Sequence, residues 1–252
     1  MTLINHLSFT INNMKLDILA FGAHPDDVEL GCGGTLHKSM INGKRVGIVD
    51  LTRGELGTRG DVDIRANESA NAAKILGVSV RHNLEMQDGF INNSKENQFK
   101  VIELIRKYQP KIVFCNSIDD RHPDHSKASK LVRESCYLSG LVKIITSDEN
   151  GIVQNYWRPH SVYSYIQWKP LEPGFVVDIS SSIEFKMLSV KCYKSQFYNS
   201  KSSEIETPIS TKNFIDSVRY RAADLGRLIN VDYAEGFIPD RVIAVDSIFD
   251  LK

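Results

Sequence analysis

Within the first 140 residues a short apolar run rich in β-formers is followed by an amphipathic stretch, and the pair recurs until there are four of each. KLDILAFG (15–22), RVGIVDLT (45–52), SVRHNLEM (79–86) and KIVFCNS (111–117) read as strands, the third the weakest. GGTLHKSMINGK, DIRANESANAAKILGV (63–78), NQFKVIELIRKYQP (97–110) and HSKASKLVRESCYLSG read as helices, the second stopping at a glycine and the third at a proline. Such alternation predicts an α/β fold, a Rossmann-like parallel sheet with helices on both faces. After residue 140 it loosens into an elaborated C-terminal part. There SVYSYIQW (161–168) and FVVDI (175–179) read as strands, and SIEFKMLSVKCYKSQF and TKNFIDSVRYRAADLGRLI as helices. YAEGF reads as a turn between a last helix and a last strand. With no linker, repeat or low-complexity tract, residues 14–252 read as one domain and 1–13, ahead of Met14, as an extension.

Each charged loop follows a strand: AHPDDVE after the first, TRGELGTRGD after the second, MQDGF after the third and NSIDDRHPDH after the fourth. All four therefore emerge at the carboxyl edge of the sheet, where open α/β sheets hold their ligands. Two of them carry His-Pro-Asp, at His24-Pro25-Asp26 and His122-Pro123-Asp124. Crowding Asp26, Asp27 and Glu29 beside a histidine costs free energy unless a positive ion sits among them. A hydrolytic zinc site needs about three protein ligands and an open position for water. His24 and Asp27 can turn to one side of the tight loop, and His125 is best placed to complete the set. Asp26 is then free as a general base, while His122 acts from the other side of the substrate with Asp124 to orient and charge it. A lone His-Pro-Asp is more often a mere turn; two of them behind parallel strands are not. His6, His37, His82 and His160 lack that setting and read as surface or satisfied core histidines. GCGG (31–34) lacks the spacing of a phosphate-binding loop, and its glycines are expected to let the backbone pass close to the site.

The balance of the chain limits its partners. Thirty-one basic residues match 31 acidic ones, so no overall field draws it to nucleic acid or an anionic membrane. No apolar run approaches the ~18 residues of a membrane span, and the first residues do not read as a signal peptide. The four cysteines, Cys32, Cys115, Cys136 and Cys192, are scattered, which fits a reducing cytoplasm. Each reads as a small buried hydrophobe, with Cys32, in the charged loop, the least settled.

AHPDDVE and HPDH resemble the signature motifs of the LmbE/PIG-L zinc-dependent N-deacetylases, which remove acetyl from N-acetylglucosamine derivatives. The resemblance continues through TRGELGTRG, RANE, MQDG, WRPH, YKSQF and YAEGF. These later segments are similar to the bacillithiol-pathway branch, whose substrate is N-acetylglucosaminyl malate. The resemblance implies Zn2+ (or another divalent ion such as Fe2+) on His24, Asp27 and His125, Asp26 as base, and catalytic roles for His122 and Asp124. It further implies that Arg65 and Asp88 hold sugar hydroxyls and that the protein is a homo-oligomer. It suggests an oxyanion-stabilising tyrosine for which no counterpart can be assigned. Arg53, Arg59 and Arg65 follow the second strand, and an arginine fork suits a carboxylate. Arg53 is taken as the acid-binding residue, with Arg158 of WRPH the alternative and Arg59 a solvated charge. The expected reaction is metal-assisted amide hydrolysis, with protonated His122 helping to stabilise the oxyanion. Its alternatives are a general amino-sugar deacetylase, a non-haem iron oxygenase built on a facial triad, and a non-catalytic sugar-binding protein.

Overall fold

The structure, a computed structural model, describes residues 14–251. In chain order its elements are β1 (Ile18–Gly22), α1 (Asp27–Ile41), β2 (Val46–Thr52), α2 (Val62–Leu76), β3 (Val80–Met86), α3 (Lys95–Tyr108), β4 (Ile112–Cys115) and α4 (Pro123–Leu138). There follow β5 (Ser161–Tyr165), β6 (Phe175–Asp178), α5 (Ile183–Val190), α6 (Lys212–Arg227) and β7 (Ala234–Pro239). The strands form one seven-stranded sheet in the order β3-β2-β1-β4-β5-β7-β6. β1 to β5 pair in parallel, and β7 runs antiparallel to both its neighbours.

The period of two in β1 divides the core. Leu19 and Phe21 face α3 and α4, meeting Val101, Ile105, Leu131 and Val132. Ile18 and Ala20 face the other way, onto Val28 and Leu36 of α1 and Leu76 of α2. α5 and α6 extend that second layer, where Ile183, Met187, Phe214 and Val218 cover Leu30 and Ala72. The weaker strand reading at 79–86 has a simple cause. β3 lies at the sheet edge and is only partly buried, so its residues need not be apolar.

Two expectations need correction. YAEGF is not a turn: Ala234 to Phe237 lie within β7, and no strand follows it among the described residues. The run is short and polar in part because Glu235 is needed inside. GCGG does not line the site either. A Cβ on Gly31 would come within 2.1 Å of the Tyr165 ring, and one on Gly34 within 2.7 Å of Ile179. These glycines let α1 press against the rest of the fold, and Tyr165 donates its hydroxyl to the Phe21 carbonyl at 3.0 Å. Gly77 does end α2, in the left-handed conformation (φ 69°). The proposed 1–13 extension and His6 lie outside the described residues. No helix among the described residues is long and apolar enough to cross a membrane.

α1 is broken at Cys32 (φ −144°, ψ 16°). Buried Lys186 donates to the carbonyls of Glu29 (3.0 Å) and Leu30 (2.7 Å), which end the first segment. Buried Glu235 accepts from Gly34 N (2.9 Å) and Thr35 N (2.7 Å), which begin the second, and the two side chains pair at 2.6 Å. The ion pair thus serves the backbone groups that the break leaves without helical partners.

Candidate metal centre

β1 leads to β2 and β3 on one side, whereas β4 starts the other side. The sheet order therefore reverses between β1 and β4, and the loops after these two strands flank the switch point. They are the two His-Pro-Asp loops. A cavity of about 250 Å³ opens there. Its walls take His24, Asp26 and Asp27 from the first loop, Gly54 and Leu56 from the second and Asp88 and Gly89 from the third. The fourth contributes Asp120, Arg121, His122 and His125. All four loops that the sequence pattern assigns to this edge are present.

Asp27 lies between two imidazoles, with Oδ2 3.4 Å from His24 Nδ1 and Oδ1 3.2 Å from His125 Nε2. Asn116 Nδ2 (3.0 Å) and Gln167 Nε2 (2.6 Å) donate to the same carboxylate. The far nitrogen of each imidazole meets another carboxylate, His24 Nε2 on Asp88 (3.0 Å) and His125 Nδ1 on Asp120 (3.1 Å). Histidines that hold a metal are oriented in this way. His122 joins the same cluster, since ring nitrogens of His24, His122 and His125 lie within 4.8 Å of one another.

The electrostatics favour positive charge at this point. Burial works to lower the His24 pKa, but hydrogen bonds to Asp124, Asp27 and Asp88 outweigh it and hold the imidazole well above its ordinary value. Burial also opposes the charge on His125, yet Asp27 and Asp120 raise it to about 9. Asp27, against its burial, is held well below the ordinary range by His125 and His24. Two imidazoles and the Asp27 carboxylate in contact, with four more buried acidic groups around them (Asp26, Asp88, Asp120, Asp124), form a donor set that fits a divalent ion.

Asp26 stands apart from that set. It precedes α1 with φ 131°, a region costly for any residue with a Cβ, and the twist directs its carboxylate away from Asp27's partners. Arg65 Nη2 donates to Asp26 Oδ2 at 3.2 Å and to the Pro25 carbonyl at 2.7 Å. Burial pushes the Asp26 pKa up to about 7 against the pull of the Arg65 charge. His122 caps α4, and its Nδ1 accepts from Asp124 N at 3.3 Å, which leaves the ring proton on Nε2. Burial, with the positive charge of His24 and His125, lowers its pKa. This runs against the protonated state expected for it, but a neutral ring with Nε2–H is still a donor. The Asp124 carboxylate turns towards Gly89 N (2.7 Å) and His24 Nε2 (3.8 Å) instead of His122. Its bond to His122 is through its backbone N–H.

The arginines divide differently from expectation. Arg65 and Asp88 are at the cavity wall, engaged with Asp26 and His24. Asp88 is held at about 2, because His24 and the Leu56 N–H outweigh its burial. Arg53 is not among the lining residues; its side chain is 47% exposed and pairs with Glu85. Arg158 also lies away from the cavity, stacked on Tyr137 and donating to that residue's carbonyl. Arg59 is not solvated: it is buried and donates to Ser202 Oγ (2.6 Å) and Glu204 (3.3 Å). Glu29 is a framework residue, bound by Arg81 (2.5 Å) and Tyr193 (2.9 Å). Among the other histidines His37 is satisfied by Ser182 and His82 by Tyr108, while His160 is exposed.

Sequence reasoning missed Asp120 and the residues closing the cavity from the C-terminal side: Gln167, Trp168, Gln196, Ile209, Phe214 and Arg221. Asp120 carried a signal, an acid five residues before His125. The others sit in segments with no motif of their own. Among the described residues, none that lines the cavity is a tyrosine.

The sequence matches the family described as GlcNAc-PI de-N-acetylase (PIG-L) over residues 19–136. A diacetylchitobiose deacetylase of Thermococcus kodakarensis is 32% identical over 208 residues, 77% of this chain and 76% of that protein. Among solved structures, the conserved protein TT1542 of Thermus thermophilus superposes with a TM-score of 0.79 at 34% identity, covering 92% of this chain and 98% of that one. An N,N′-diacetylchitobiose deacetylase of Pyrococcus horikoshii does so with 0.76 at 28% identity, over 88% and 82%. The matched region runs from β1 through α4 and so contains both His-Pro-Asp loops, and with a relative this similar over most of its length the chain belongs to the PIG-L family of de-N-acetylases.

Proposed function

We propose that this protein is a divalent-metal amidohydrolase that removes the acetyl group from an N-acetylglucosamine derivative, with N-acetylglucosaminyl malate of the bacillithiol pathway as its substrate. The observation that carries the reading is Asp26: a buried carboxylate, titrating near neutrality, beside a two-histidine, one-carboxylate donor set but outside it. Family membership supports the amino-sugar class, and segments such as YKSQF and YAEGF support the branch. Residues 14–252 act as one catalytic domain in this reading, since all seven strands join one sheet.

His24, Asp27 and His125 would hold the ion, and Zn2+ fits the nitrogen and oxygen donors, with Fe2+ as the other candidate. Bound there, a divalent ion supplies Lewis acidity and a lowered pKa for water. Asp26 takes the proton of the attacking water, a role for which a pKa near the working pH is best. Arg65 keeps the Asp26 carboxylate aimed. His122 offers its Nε2–H to the oxygen on which negative charge grows, and Asp124 fixes the ring that does so. Asp88 keeps His24 in its tautomer, and with Arg65 it meets the sugar hydroxyls at the cavity wall. The proton for the departing amine comes from Asp26 or His122.

The chain's cysteines are unpaired, in keeping with a cytoplasmic protein. Exposed apolar side chains beyond β7, Val242, Ile248 and Phe249 among them, favour a homo-oligomer. The test is acetate release from N-acetylglucosaminyl malate and from diacetylchitobiose by zinc-loaded protein. Release from the malate conjugate alone supports the full proposal. Equal rates identify a general amino-sugar deacetylase, and no acetate from either overturns the reading.

A further inference from the structure

The cavity has two ends of different character. One holds the histidine–carboxylate cluster. The other is apolar, built by Leu30, Ile209, Phe214 and Trp168, the last two stacked with centroids 5.5 Å apart. Into this second end comes Arg221 of α6, seven residues after Phe214 and so on nearly the same side of the helix.

The Arg221 side chain makes no hydrogen bond or ion pair with any described residue. The acids near it are already engaged. Asp120 accepts from His125 Nδ1 (3.1 Å) and from the backbone N–H groups of Arg121 (2.6 Å), Trp168 and Lys169 (both 3.3 Å). Asp26 is held by Arg65. Arg121, the other arginine at this end, sits over the Trp168 ring, 4.4 Å from its centroid, and its side chain also lacks an acid partner among the described residues. Burial draws the Arg221 pKa below its ordinary value, with Asp120 opposing. Arg221 is half-buried, and a guanidinium only partly open to water beside an apolar wall gains from an anion that meets it. Its planar fork matches a carboxylate or a phosphate.

We propose that Arg221 is the specificity residue of this site and receives an anionic group, carboxylate or phosphate, carried on the aglycone of the amino sugar. The inference rests on the amidohydrolase reading for the chemistry, but not for the binding. It moves acid recognition from the exposed Arg53 to the C-terminal part of the chain. The sugar's acetamido group lies at the histidine end and the aglycone at the Trp168 end.

The experiment uses three sugars: methyl N-acetylglucosaminide, its carboxymethyl counterpart and N-acetylglucosamine 1-phosphate. For zinc-loaded protein, kcat/KM of at least one anionic sugar should exceed that of the methyl glycoside by about ten- to a hundredfold, the scale of a charged hydrogen bond. Whichever anionic sugar leads identifies carboxylate or phosphate as the group read. R221Q should bring the charged and neutral sugars to within about twofold, through loss on the charged ones alone. R221K, which keeps the charge and loses the fork, should retain part of the preference. A preference absent from wild type, or intact in R221Q, overturns the proposal. Calorimetric binding of the corresponding deacetylated sugars separates this outcome from failure of the function. Tighter binding of the anionic sugars that disappears in R221Q, with no acetate released from any of the three, removes the deacetylase reading and leaves the role of Arg221. Equal binding of charged and neutral sugars removes that role whatever the turnover.

Discussion

Asp26 and Asp27 are adjacent and chemically identical, yet one is held well below the ordinary carboxylate range and the other is raised to about 7. Burial acts on both; the difference is that two imidazoles face Asp27, whereas a single guanidinium faces Asp26. The substitution Asp26→Asn should therefore keep bound metal and remove turnover by a hundredfold or more, the usual scale for a general base (~10²–10⁴). His24→Ala, Asp27→Ala or His125→Ala should instead strip the metal, and His37→Ala should change neither quantity. Metal content by atomic absorption beside kcat decides it; loss of metal from Asp26→Asn would exchange the two aspartates' roles. Asp120 acts one step further out, through His125 Nδ1. Asp120→Asn is expected to weaken metal affinity by about ten- to a hundredfold. Titration with a competing chelator measures this, and wild-type affinity would make Asp120 a loop fastener only.

The first helix shows what an element costs when its start is dedicated to a site. α1 must carry Asp27 at its N-terminus and still lie against Tyr165 and Ile179, and it does so with glycines and a break at Cys32. Lys186 and Glu235 mend the break from α5 and β7. Removing one partner of a buried pair leaves an uncompensated charge, at a cost of about 3–5 kcal/mol. Lys186→Met and Glu235→Gln should each lower stability by that order, and the double variant by less than the sum of the two. Denaturant unfolding of the three variants checks this, and additive losses would show that the pair does not act as a unit. Gly31→Ala should also destabilise, because its methyl would enter the Tyr165 ring.

For the whole molecule, the charges gathered at the sheet edge set how metal-free protein responds to pH. His125 is raised from 6.5 to about 9, so its contribution is complete below about 6.5 and is lost as pH climbs through 9. Asp26, raised from 3.8 to about 7, has the same sign, favouring the fold below about 3.8 and ceasing to as pH passes 7. Asp88, lowered to about 2, acts oppositely: its contribution is present above 3.8 and fades as pH falls through 2. The melting temperature of chelator-treated protein should thus decline between pH 7 and 9, and saturating zinc should lessen the decline, since the ion takes the place of the lost protons. Scanning calorimetry with and without zinc tests both parts; a flat profile without metal would contradict the assigned titrations.

The amino-acid sequence by itself determined the alternation of elements, the edge of the sheet from which the charged loops emerge and the presence of both His-Pro-Asp loops on it. Each of these is local: a strand or helix shows in its own periodicity, and a short loop after a parallel strand has only one edge to emerge from. It did not show that YAEGF supplies Glu235 to a broken helix, because Glu235 lies 201 positions from Gly34, whose N–H it accepts. Nor did it distinguish Arg53, Arg59, Arg121 and Arg221, which are alike as residues. Only packing decided which guanidinium meets Glu85 outside, which fastens Glu204, and which reaches the cavity with no acid to pair with. Local pattern is written in neighbouring residues, whereas the partner of a long charged side chain depends on which distant segments the fold brings beside it.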